Sequence, residues 1–181
     1  MKFFNDNFKV IGYFNALLIV ASIVFRLYFI TTFSPLIMAD SILCTITLLF
    51  GLFYSLSGYK KDAAKYYKEF MYLFFASSIL SLCSTLYIGS SSLTSSGLVI
   101  IISNAIIFII SFVLAFIKDF GLAKSNILAL VVLLLNIVKL VLVLKTSISF
   151  ISIGFANLIL ACILCIFVSA KYADKTSRGA K

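Results

Sequence analysis

The stretch Leu128-Ala129-Leu130-Val131-Val132-Leu133-Leu134-Leu135 decides the fold. Eight apolar residues follow one another without alternation. A membrane β-strand alternates its two faces over ~9–11 residues, so this run does not read as one. It lies inside a longer apolar segment, 124–144, interrupted by Asn136 and Lys139. At ~1.5 Å per residue such a segment crosses a hydrocarbon core ~30 Å thick as a helix.

Working outward, the same pattern recurs six times. Apolar segments fall at roughly 10–31, 36–57, 67–88, 97–117, 124–144 and 148–170, each about 21–23 residues long, the length a spanning helix needs. Short polar breaks separate them. Thr31-Thr32-Phe33-Ser34-Pro35 holds the chain's one proline, which suits the first turn of a helix. Gly89 and Gly97 bound a serine-rich break, Lys118-Asp119-Phe120-Gly121 ends the fourth segment, and Lys145-Thr146-Ser147 makes a tight turn. The expected architecture is all-α and polytopic, a single domain of six transmembrane helices over 1–181, with no room for an aqueous lobe.

Composition agrees. The chain has 181 residues, 63% hydrophobic and 12% charged, with mean hydropathy +1.19. Soluble domains carry about 25% charged and 45–50% apolar residues. A soluble globule, a disordered chain, a collagen and a disulfide-stapled secreted domain are excluded on these figures.

Charge gives the orientation. Lys2, Lys9, Lys60, Lys61, Lys65, Lys68, Lys118, Lys124, Lys171, Lys175, Arg178 and Lys181 fall on one side of the six-helix scheme, and the opposite loops hold only Lys145. The positive-inside rule then makes both termini cytoplasmic. Tyrosine supplies the interfacial aromatic belt, since there is no Trp. The net charge of +9 reflects this asymmetry, so anionic lipid rather than nucleic acid is the expected partner. Lys60, Lys61, Lys65 and Lys68 form a basic collar that reads either as a lipid-headgroup site or as a solvated helix entrance. Lysine outnumbers arginine 13 to 2, the usage of an AT-rich genome, which points to a bacterial inner (plasma) membrane. The first segment is longer than a signal-peptide core and lacks a small-residue cleavage pattern, so it is expected to stay in the mature protein.

An internal repeat is suggested by recurring strings. The odd segments end in Val24-Phe25-Arg26-Leu27-Tyr28, Cys83-Ser84-Thr85-Leu86-Tyr87 and Ile137-Val138-Lys139-Leu140-Val141. The even ones begin with Ala39-Asp40-Ser41, Ser103-Asn104-Ala105 and Ala156-Asn157-Leu158. Three hairpins, each going out and coming back, would produce this. Chance recurrence of Leu and Ile would too, but Asp and Asn are rare in lipid.

In this register Arg26, Asp40, Thr85, Asn104, Lys139 and Asn157 lie at similar depth, and Asn136 sits one turn below Lys139. A charge near the bilayer centre costs ~2.5–3.5 kcal/mol on insertion scales, so such residues face the bundle interior or a watery cavity. Two readings stay open. One is an outward-facing ligand site in which Arg26 and Lys139 attract an anion, tuned by Asp40, with Asn104, Asn136 and Asn157 around it. The other is structural: Arg26 pairs with Asp40 between neighbouring helices, Lys139 snorkels outward and the asparagines bridge helices.

Catalytic chemistry finds little to use. There is no His, which removes His-ligated metals and Ser-His-Asp triads. Of six carboxylates, Asp6, Asp62, Glu69, Asp119 and Asp174 belong to the cytoplasmic edge. No P-loop or G-x-S-x-G string occurs. Cys162 and Cys165 have C-x-x-C spacing on one helical face, but within lipid they read as packing residues before redox ones. No enzyme activity, metal or cofactor is expected.

The repeated hairpins and strings such as Leu48-Leu49-Phe50-Gly51-Leu52 resemble the HdeD-like group, small bacterial six-helix membrane proteins built from hairpin repeats. The resemblance covers nearly the whole chain in length and topology, and implies a stress-associated, non-enzymatic role. The first expectation is therefore a small structural or accessory subunit, packed against other membrane chains or itself. The alternative is a small transporter or solute-binding protein with the anion site described above.

Overall fold

A computed structural model of the chain describes residues 8–29, 35–57, 63–89, 94–117, 120–144 and 148–178, with side chains at 10, 13–14, 16–24, 35–56, 66–87, 94–117, 120–144 and 154–172. These residues form six helices: α1 Phe8–Phe29, α2 Pro35–Ser57, α3 Ala63–Gly89, α4 Ser95–Phe116, α5 Leu122–Val143 and α6 Ile148–Arg178. Among the described residues five of them, α2 to α6, hold a stretch long and apolar enough to cross a membrane. The chain is thus an all-helical, multi-pass membrane protein.

Local chemistry explains the helix ends. Pro35 opens α2, where its missing N–H is no loss. Thr94 caps α4, its Oγ1 accepting from the Gly97 amide at 3.2 Å. Gly121 precedes α5 at φ +80°, a conformation that favours glycine.

Two boundaries depart from the sequence reading. α3 begins at Ala63, four residues before the apolar segment, and α6 runs to Arg178, eight beyond it. A helix needs apolar residues only while it is in lipid. Ala63 to Tyr66 and Lys171 to Arg178 contain no Gly or Pro, so the backbone ladder continues past the apolar segment.

Helices adjacent in sequence pack against one another from α1 to α6, and α6 also contacts α1, α2 and α3. That makes α6 the central helix. Its Gly154–Tyr172 span is 56% buried, against 33% or less for the other four spans. Close approach is built with small residues. A Cβ at Gly51 of α2 would stand 2.9 Å from Ile163 Cδ1 of α6, and one at Gly154 would stand 3.0 Å from Leu140 Cδ1 of α5.

Toward the end formed by the C-terminus of α2 and the N-terminus of α3, the core is aromatic. Phe167 of α6 stacks on Tyr54 with ring centroids 3.8 Å apart and on Phe70 at 4.4 Å. At the same end Lys171 lies over the Tyr67 ring at 4.3 Å, Lys68 over Tyr72 and Lys124 over Phe120, each at 5.8 Å. The apolar outer faces of the helices remain uncovered, as along Leu98, Ile102, Ile109 and Phe116 of α4.

Candidate functional site

The polar residues of the spans meet in the half of the bundle away from the aromatic stack. Asp40 lies six residues into α2 and Lys139 four before the last residue of α5, at the same end of the molecule. Both are buried, with 4% and 5% of their surface exposed. Lys139 therefore does not snorkel. Its ammonium turns inward and donates to Asn104 Oδ1 at 2.6 Å.

A hydrogen-bonded relay runs through four consecutive helices. Lys139 on α5 donates to Asn104 on α4. Asn104 Nδ2 donates to Thr85 Oγ1 at 3.2 Å and approaches the Ser81 carbonyl at 3.4 Å, both on α3. Ser81 Oγ donates to Asp40 Oδ1 on α2 at 2.9 Å. One anion and one cation are thus linked through the Asn104 side chain and through Ser81, whose backbone carbonyl faces Asn104 and whose hydroxyl faces Asp40. Each charge thereby has a hydrogen-bonded polar neighbour where solvent is excluded.

A long contact at 4.0 Å, Cys44 Sγ to Asn157 Oδ1, links α2 to α6. Below the relay, Ser78 and Ser111 meet at 2.7 Å between α3 and α4. Each is also 2.7–2.8 Å from a carbonyl of its own helix. With one proton apiece, only two of these three contacts can be hydrogen bonds at once.

A narrow cavity of about 20 Å³, room for a single water-sized particle, opens beside Lys139. Ser77, Ser78 and Ser81 of α3, Asn104 of α4, Asn136 and Lys139 of α5 and Asn157 of α6 line it, together with the apolar Phe74, Ile107 and Leu160. Asn136 is buried, donates from Nδ2 to the Val132 carbonyl at 2.9 Å, and keeps an Oδ1 without a partner among the described residues.

Of the residues singled out in the sequence, the structure brings Asp40, Asn104 and Lys139 into one relay. It sets Asn136 and Asn157 on the walls of the same cavity. The side chain of Arg26 lies outside the described residues, as do those of Lys60, Lys61 and Lys65. Lys68 is exposed at the opposite end.

Sequence reasoning passed over Ser77 and Ser81, although the signal was present. Ser77, Ser81 and Thr85 recur every four residues and so share one face of α3. The C-x-x-C pair is not closed: Cys162 is exposed on the bundle surface and Cys165 half-buried, both free thiols.

Comparison with protein-family models, with curated proteins and with solved structures finds no match to this chain.

Proposed function

We propose that this chain is a non-enzymatic, multi-pass membrane protein that serves as a small structural or accessory subunit of a membrane assembly. The observation that carries this reading is the relay itself. Asp40, Ser81, Asn104 and Lys139 are hydrogen-bonded in sequence across four helices. The cavity that the described residues leave beside the relay, of about 20 Å³, is too small for an organic solute. A polar layer built this way fixes helix register. Interhelical polar contacts in membranes average about 0.6 kcal/mol, so four helices joined by one relay gain order more than large stability.

The reading extends to topology. The chain makes three out-and-back hairpins, α1 with α2, α3 with α4 and α5 with α6, and both termini are cytoplasmic. Support comes from the recurring Asp or Asn early in α2, α4 and α6, and from the excess of lysine on that side. The basic end carrying Lys68, Lys124 and Lys171 then faces anionic lipid of a bacterial plasma membrane. The stress-associated role implied by the HdeD-like resemblance belongs to the same proposal. Uncovered apolar flanks, such as that of α4, offer the surface for a partner chain.

Native extraction into lipid nanodiscs followed by mass spectrometry of the intact particle tests the proposal. The expected particle contains a second polypeptide in fixed stoichiometry, or several copies of this chain. A strictly monomeric chain would contradict a subunit role.

A further inference from the structure

The cavity beside Lys139 has chemistry that the relay leaves unused. The ammonium has three N–H bonds and gives one to Asn104. Asn157 engages its Oδ1 with Cys44, and its Nδ2 stands outside the relay. Ser77 lines the cavity, and its hydroxyl likewise takes no part in the relay. Lys139, Ser77 and Asn157, each with a donor outside the relay, therefore line one small space, together with Asn136.

Their sign and number restrict what can sit there. A cation would lie beside an ammonium in a medium where charges are poorly screened, so it is disfavoured. Carboxylates, sulfate and phosphate exceed the space for one water-sized particle. A halide is a single atom, larger than water but smaller than those ions, and accepts from several donors at once. The ammonium's own hydrogen bond is to a neutral amide oxygen, Asn104 Oδ1.

We propose that this cavity binds one monovalent inorganic anion of halide size, held by Lys139 Nζ, Ser77 Oγ and Asn157 Nδ2. The inference does not rest on the subunit reading, since a subunit and a lone chain could hold the ion equally well. The anion completes the donors around Lys139 and ties α3, α5 and α6 together, adding α6 to the four helices of the relay.

The test is thermal unfolding of the purified full chain in nanodiscs, titrated with sodium bromide against sodium gluconate at constant ionic strength. A ligand that binds the folded state alone raises the midpoint once its concentration exceeds its Kd, and logarithmically beyond it. The expected result is such a rise with bromide and with chloride but not with gluconate. Ser77→Ala, which takes one neutral donor from the site, should shift the concentration at which the rise sets in upward by roughly tenfold. Lys139→Gln should abolish the rise; if that variant does not fold, Ser77→Ala and Asn157→Leu carry the test. Equal midpoints in bromide and gluconate would overturn the proposal and leave the cavity to water. A bromide effect of unchanged concentration dependence in both Ser77→Ala and Asn157→Leu would overturn it as well.

Discussion

Lys139 is where sequence and structure part most instructively. Its position near the end of α5 allows its long side chain either to reach the membrane surface or to turn inward, and spacing alone does not choose. What decides is an acceptor on another helix, Asn104 Oδ1 at 2.6 Å. Asp40, Asn104, Asn136 and Asn157 were legible because such residues are rare in lipid. The serines were not, because hydroxyls in helices commonly bond their own backbone. Thr45, Thr47, Ser55 and Ser103 do just that, each to the carbonyl four residues back. Ser81 differs by reaching Asp40. Ser81→Ala should therefore cost about 1–3 kcal/mol, the range for depriving a buried charged group of a donor. Ser111→Ala should cost less than ~1 kcal/mol, since Ser78 then keeps its bond to the Phe75 carbonyl. Unfolding of both variants in one detergent measures the order, and equal losses would show that the Ser81 hydroxyl carries no special weight.

Among the elements, α4, α5 and α6 reverse the habit of soluble proteins. The spans of α4 and α5 have hydropathies of 2.9 and 2.6 and are 33% and 22% buried, whereas that of α6 has hydropathy 2.0 and is 56% buried. Lipid, not water, surrounds the bundle, so the most apolar helices can stay outside while small residues pack within. Periodicity therefore gave the number of helices but not the central one. Ala156, Ala161 and Ala170 together with Gly154 were the available sign, for small residues let helices approach. The same closeness makes a prediction at Gly51. An added methyl stands 2.9 Å from Ile163 Cδ1, so Gly51→Ala requires that branch to move. Ile163→Val deletes that atom and costs about 0.5–1.5 kcal/mol by itself. The double variant should be less destabilised than the sum of the two singles, by at least ~0.5 kcal/mol, as expected for residues in contact. Strict additivity would mean that α2 and α6 do not meet at this point.

The bundle as a whole has two unlike halves. One is filled by the aromatic stack of Tyr54, Phe167 and Phe70 and ends in lysines over tyrosines. The other is held by the relay and its cavity. Apolar packing is tolerant of partner and register, whereas a chain of directed hydrogen bonds is not. The relay thus specifies which face of each helix turns inward. Length and composition made the six-helix plan legible, because they depend only on the solvent around the chain. The pairing of helices α2 to α5 was not legible, because it depends on side chains far apart in sequence, Asp40 to Ser81 and Asn104 to Lys139.

The coupling between Asn104 and Lys139 tests that claim most directly. Asn104→Leu, Lys139→Met and the double variant would be unfolded reversibly in the same lipid-detergent mixture. Asn104→Leu strands a buried ammonium and should cost about 2–4 kcal/mol, because a broken buried polar contact leaves its charged partner unsatisfied. The double variant removes the charge together with its acceptor and should be more stable than Asn104→Leu alone. A double variant that loses the full sum of the two single effects would contradict the relay.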